Sequence, residues 1–108
     1  MIRELPIYQF KSSTQFDIWL EKLDKSIKLR VLARLARVEC GNLGDYCFID
    51  DQLAELRIFF GSGIRIYFTF REPNILWLLF GGTKNTQVRD IKQARGILQQ
   101  LGEQDEKL

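Results

Sequence analysis

Apolar residues recur along this chain first at intervals of three and four, then at intervals of two, and the change falls near Asp45. Phe16, Trp19, Leu20 and Leu23 stand at i, i+3, i+4 and i+7, on one face of a helix, and Ser12, Ser13 and Thr14 just before them offer an N-cap. Asp24 can cap a second helix whose inward positions are Ile27, Val31, Leu35 and Val38. Arg30, Arg34 and Arg37 fall on a neighbouring stripe of that helix, and taken alone the stripe reads as a solvated flank. Gly41-Asn42-Leu43-Gly44-Asp45 then ends the helix with residues that tolerate positive φ.

Beyond Asp45 the side chains alternate. Residues 46–50 form a short candidate strand, and 54–60 and 64–71 form stronger ones on either side of Gly61-Ser62-Gly63. After a turn at Glu72-Pro73-Asn74, the stretch 75–80 is apolar throughout, which predicts a central strand covered on both faces. Val88, Ile91, Ala94, Leu98 and Leu101 mark the apolar face of a last helix, with Thr86 as its cap. Ahead of the first helix, residues 3–8 read as a strand at a sheet edge, because Pro6 cannot donate to a ladder. The pattern predicts an α+β fold: an antiparallel sheet of four or five strands packed against an N-terminal helix pair and a C-terminal helix. Residues 1–108 form a single domain, with about 102–108 a fraying tail.

The hairpin concentrates the polar chemistry. A three-residue loop at 61–63 would pair Phe60 with Ile64, Ile58 with Ile66 and Leu56 with Phe68, gathering the apolar pairs on one face. Arg57 then stands opposite Tyr67, with Glu55, Arg65 and Thr69 on the same face and Phe59 the apolar exception. Two arginines and a tyrosine suit an anion, since guanidinium keeps its charge and can make two parallel hydrogen bonds to a phosphate. The alternative is a solvent-facing sheet surface on which Glu55 pairs with Arg57 or Arg65. Gly81-Gly82-Thr83-Lys84-Asn85-Thr86 leads directly into the last helix, whose first amides would favour an anion beside Lys84. The spacing of a nucleotide P-loop is missing, and Gly61-Ser62-Gly63 fits a hairpin turn better than a phosphate loop.

Composition narrows the classes. The chain has 108 residues, 45% of them apolar, enough for one core, with 28% charged and 12% aromatic residues, as in ordinary globular proteins. Its longest apolar run, Ile75 to Phe80, falls far short of the roughly 20 residues a membrane span requires. Arg3 and Glu4 interrupt the start and no signal-like stretch follows, so a cytoplasmic protein without membrane contact is expected. A net charge of +2 argues little, but five bases and no acid fall between Lys25 and Val38. Histidine is absent, which removes the commonest general base and metal ligand, and neither a metal nor another cofactor is expected. Cys40 and Cys47 read as two small buried residues and not as a disulfide.

Five segments in order carry a resemblance: Gly41-Asn42-x-Gly44-Asp45, Glu55-Leu56-Arg57-Ile58, Gly61-x-Gly63-x-Arg65-Ile66-Tyr67-Phe68, Gly81-Gly82-x-Lys84-x-Thr86-Gln87 and Asp90-Ile91-x-x-Ala94. Together, over roughly residues 16–97, they resemble the RelE/HigB-like addiction-module killer proteins of the RelE/ParE superfamily. The resemblance implies a RelE-like fold and a bacterial toxin of a type II toxin–antitoxin system, held by a cognate antitoxin. It further implies a metal-independent, ribosome-dependent endoribonuclease that cuts messenger RNA and inhibits translation. Carried over by position, Arg57, Arg65 and Lys84 match the family's basic catalytic positions, and Tyr67 joins them on hairpin geometry. Arg30, Arg34 and Arg37 are the candidate contacts to RNA or the ribosome, or to the antitoxin. In such a reaction the 2′-hydroxyl attacks the adjacent phosphate and fixed cations stabilise the charge that builds there, with Lys84, Tyr67 or Glu55 as the base.

The chain departs from its relatives in two places. Residues 46–51 carry acids where relatives often carry lysines, and nothing after Asp90 supplies a tyrosine or histidine. The superfamily also includes ParE-like inhibitors of DNA gyrase. A gyrase-inhibiting toxin and a catalytically inactive, antitoxin-binding repressor subunit are therefore the alternative readings.

Overall fold

In the computed structural model, which describes residues 7–107, the order is β1 (Gln9–Ser12), α1 (Thr14–Glu21), α2 (Lys25–Glu39), β2 (Tyr46–Phe48), β3 (Ala54–Ile58), β4 (Ile64–Arg71), β5 (Ile75–Thr83) and α3 (Gln87–Lys107). A single 3-10 turn, Lys84–Thr86, joins β5 to α3. Ser13 supplies the N-cap of α1: its hydroxyl accepts from the Phe16 amide at 2.9 Å and donates to the Leu79 carbonyl at 2.6 Å. One side chain thus satisfies an orphan helix amide and ties the helix start to β5. Asp24 occupies the N-cap position of α2 without making a side-chain cap bond.

The strands lie in the order β1-β5-β4-β3-β2. The pairs β2–β3, β3–β4 and β4–β5 are antiparallel as expected, but β1 runs parallel to β5, so the sheet is mixed. The reason is the crossover. From β1 the chain passes through α1 and α2 over one face and re-enters the sheet at the far edge, leaving β1 beside the last strand to be made. β1 also lies later than the strand expected at residues 3–8. Residues 3–6 of that stretch lie outside the described residues, and Ile7 and Tyr8 instead donate their amides to the Glu39 carbonyl at 2.7 and 3.0 Å.

Alternation in β4 and β5 serves two cores. Phe16, Val31, Leu35 and Val38 from the helix pair meet Leu56, Ile58, Ile66, Phe68, Leu76 and Leu78 on one face. Ala94 and Leu101 of α3 meet Leu53, Tyr67 and Leu79 on the other. Each large apolar side chain so buried contributes about 1.5–3 kcal/mol. Gly81 and Gly82 let the helices approach from both sides: a Cβ on Gly81 would run into the Trp19 ring, and one on Gly82 into the Asp90 carboxylate. Both glycines belong to β5, which continues to Thr83.

Several expectations are corrected here. Val88 is 88% exposed. At about 100° per residue it falls off the stripe that Ile91, Ala94, Leu98 and Leu101 present to the sheet. α3 is helical through Lys107, and Leu108 lies outside the described residues. Cys40 is exposed and Cys47 half-buried, and both are free thiols. No helix among the described residues is long and apolar enough to cross a membrane.

The hairpin register differs by two residues from the expected one: Ile58 pairs with Ile64, Leu56 with Ile66 and Ala54 with Phe68. Phe59 and Phe60 belong to the loop, because the Phe60 amide bonds to the Ile58 carbonyl at 3.1 Å and the Gly63 amide to the Phe60 carbonyl at 3.0 Å. A slip of two leaves every side chain on its own face, so alternation cannot register it.

Candidate functional site

The polar face of β3 and β4 is roofed by the start of α3, and this decides what is accessible. Glu55, Tyr67 and Thr69 are buried, although the pattern alone allowed an open face. Arg57 pairs across the ladder with Arg65, and Glu55 with Tyr67, in place of the expected Arg57–Tyr67 pair.

Glu55 is the centre of this network. It is 2% exposed and accepts from Gln87 Nε2 at 2.7 Å. Its other oxygen accepts from Arg57 Nε at 3.3 Å, and the Cys47 thiol lies 3.6 Å from it. Arg65 Nε stands 3.8 Å from the first oxygen and has no hydrogen-bond partner among the described residues. The Arg57 side chain, 37% exposed, also reaches Cys47 Sγ at 3.2 Å and Asp45 at 3.8 Å. The Cys47 sulfur, then the Glu55 carboxylate, hold the Arg57 guanidinium above its ordinary pKa. Buried charges persist only when paired, and Glu55 is paired on both sides.

Tyr67 lies within this roofed network, and its hydroxyl has no hydrogen-bond partner among the described residues. Burial first, then the charges of Glu55 and Asp90, push its pKa far above the usual phenol range, with Arg65 opposing. The geometry that joined Tyr67 to the arginines is therefore corrected: it shares their face but is covered.

The three matched cations divide between two hollows. Arg65 and Lys84 line one of about 400 Å³ beside the Gly61-Ser62-Gly63 loop. Arg57 lines the other, about 430 Å³, together with Arg30, Arg34 and Arg37. Lys84 is exposed, no carboxylate among the described residues pairs with it, and its amide donates to the Gly63 carbonyl at 3.0 Å. That bond pins the hairpin loop to the start of the 3-10 turn. The helix start itself is already served. The Thr86 hydroxyl accepts from the Thr83 amide at 3.3 Å and donates to buried Asp90, whose charge meets the positive end of α3. Thr83 holds the N-cap position of the 3-10 turn, and Thr86 directly precedes α3.

The α2 stripe is also divided. Arg30 and Arg37 are exposed, but Arg34 is buried and donates to the carbonyls of Asn42 and Leu43. Burial, then neighbouring Arg37, lowers its pKa, with Asp45 opposing. Gly44, at φ 60°, leaves the space that this guanidinium fills, so the Gly41-Asn42-Leu43-Gly44 turn and Arg34 form one latch. Arg30 lies over the Phe60 ring at 4.0 Å. Among the described residues no group of three or more cysteine, aspartate or glutamate side chains could hold a metal ion.

The arrangement presents exposed Lys84, Arg30 and Arg37 and part-exposed Arg57 in two adjoining hollows, with the Arg65 side chain only 13% exposed beside buried Glu55. Gln87, Asp45 and Cys47 are participants that pattern reasoning missed, since each acts through a contact distant in sequence. Phe59 did leave a signal, as the apolar residue that breaks the alternation.

No family model matches the chain. It is 42% identical over 95 residues to a Haemophilus influenzae protein described as uncharacterized, covering 87% of this chain and 96% of that one. Among solved structures it is similar to E. coli toxin RelE, determined in the free state as a double arginine-to-alanine mutant. The TM-score is 0.61 at 10% identity, over 82% of this chain and 98% of that one. At that identity the likeness establishes a shared fold, matching the α+β architecture described above.

Proposed function

This chain belongs to the same family as the Haemophilus influenzae protein, and from its RelE-like fold and its cationic hollows we propose that it is the toxin of a type II toxin–antitoxin system. In this reading it is an endoribonuclease that cuts messenger RNA on the ribosome without a metal ion. The observation that carries the proposal is the shared hollow of Arg65 and Lys84, beside the hairpin loop that is bonded to the start of the 3-10 turn.

The 2′-oxygen bonds to phosphorus and loses its proton, the bond from phosphorus to the 5′-oxygen breaks, and that oxygen takes a proton. A 2′,3′-cyclic phosphate and a 5′-hydroxyl result. Negative charge builds on the phosphoryl oxygens, and Lys84 with Arg65 stabilises it from fixed positions. Arg57, Arg30 and Arg37 bind the flanking backbone from the second hollow. Tyr67 and Arg34 hold the scaffold. An antitoxin would silence the protein by covering these cations.

Glu55 favours a second reading. Its carboxylate already engages Arg57 and faces Arg65, which suits a catalytically inactive relative retained to bind antitoxin. Mapping RNA ends after induction separates the two. Cuts within translated codons are expected of the nuclease, and uncut messages in cells that stop growing would sink it. Altered plasmid supercoiling with intact messages would point instead to a gyrase inhibitor.

A further inference from the structure

Phe59 is 80% exposed at the crest of the loop between β3 and β4. Scattered exposed apolar residues need no explanation, but the position of this one does. It lines both cationic hollows: Arg57 and Arg30 are on one side of it, Arg65 and Lys84 on the other. The loop that carries it is tied at both ends. Arg30 lies over the adjoining Phe60 ring at 4.0 Å, and the Lys84 amide holds the Gly63 carbonyl at 3.0 Å. Both contacts flank the turn, while the Phe59 ring is bare.

An exposed ring flanked by cations is what a single strand of nucleic acid requires, because successive phosphates seek the charges and the base between them seeks a flat apolar surface. Resting on the RNA-directed reading above, we propose that Phe59 is a stacking platform for one base of a single-stranded RNA, with the flanking phosphates seated in the two hollows. Stacking tolerates any base, so the platform positions the strand without reading its sequence. A duplex, whose bases are already stacked, is excluded.

The test is binding of a fluorescent single-stranded oligouridylate to the whole protein without ribosomes, with inorganic polyphosphate and duplex RNA as comparison ligands. Phe59→Ala and Phe59→Leu are expected to weaken oligouridylate binding about 5-fold to 100-fold, while Phe59→Trp preserves it. Polyphosphate binding should be the same for all four proteins. Parental affinity in Phe59→Ala overturns the proposal, as does failure of the parent to bind oligouridylate. Parental affinity in Phe59→Leu also overturns it, since that outcome marks a merely apolar contact such as a protein partner would make. Equal affinity for duplex RNA does the same. Cleavage of ribosome-bound message by the parent is scored separately. Stacking without cleavage retains the platform and removes the nuclease; cleavage with an unaffected Phe59→Ala does the reverse.

Discussion

Arg57 on β3 and Arg65 on β4 are direct cross-strand partners, a placement in which like charges ordinarily repel. Glu55 makes it tolerable, reaching Arg57 at 3.3 Å and Arg65 at 3.8 Å from beneath α3. Glu55→Gln keeps the shape and removes the charge. It should lower stability by about 1–3 kcal/mol in denaturant titrations while tightening RNA binding, because the arginines lose their internal counter-ion. A variant with parental stability and affinity would show that Glu55 does not govern either.

Lys84→Ala removes an exposed cation, so stability should change by no more than about 0.5 kcal/mol. Cleavage of ribosome-bound message should nevertheless fall by about 10²–10³-fold, and Arg65→Ala should fall similarly. If both proteins are soluble, folded and as toxic as the parent, cleavage by charge stabilisation in this hollow is wrong.

Tyr67→Phe distinguishes a covered residue from a reacting one. The hydroxyl it deletes is buried and unpartnered among the described residues, so toxicity should persist and stability should shift by less than about 1 kcal/mol. Loss of toxicity in a folded Tyr67→Phe protein would return the phenol to the mechanism.

Asp50 caps the turn between β2 and β3, accepting from the Gln52 and Leu53 amides at 2.9 and 2.8 Å and pairing with Arg95 of α3. The Gln52 amide, then Arg95 and the Leu53 amide, lower its pKa from 3.8 to about 2. Folding thus favours the carboxylate: its stabilisation is present above the unfolded value of 3.8 and is lost as pH falls through 2. Asp50→Asn should be less stable by about 1 kcal/mol at neutral pH, with the gap closing in melts taken toward pH 2. A gap of constant size across that range would refute the assignment.

Two glycine substitutions should act in opposite directions. Gly82→Ala drives a methyl group into Asp90 and should cost about 1–3 kcal/mol. Gly96 lies within α3 with open space where its Cβ would be, so Gly96→Ala should stabilise by up to about 1 kcal/mol in the same titration.

Much of the fold is legible because burial imposes a period. Val31, Leu35 and Val38 had to face inward together, and so did Leu56, Ile58, Ile66 and Phe68. The direction of β1 carries no such imprint, since four residues look alike whether parallel or antiparallel to β5. Register escaped by an even number of residues for the same reason. In the site, Arg65 and Lys84 were found together because loop and helix start adjoin in space. Tyr67 and Arg34 were read as accessible because helical and strand periods say which face a residue occupies, not what covers that face. That Arg57 lines a separate hollow was not legible, because its neighbours there on α2 and at Asp45 come from a different part of the chain.

The pairing of β1 with β5 also sets a timetable. Ser13 and its partner Leu79 are separated by 66 positions, so a growing chain carries its first strand unpaired until β5 emerges, while α2 can already rest on β3 and β4. The β3–β4 hairpin can close locally, but the loop joining the first strand to the fifth must wait for the fifth to exist. Lys84 and the roof over Glu55 arrive later still. A nascent or prematurely released chain therefore holds the arginines without the enclosure that positions them, and Glu55 gains its Gln87 partner only when the last helix docks.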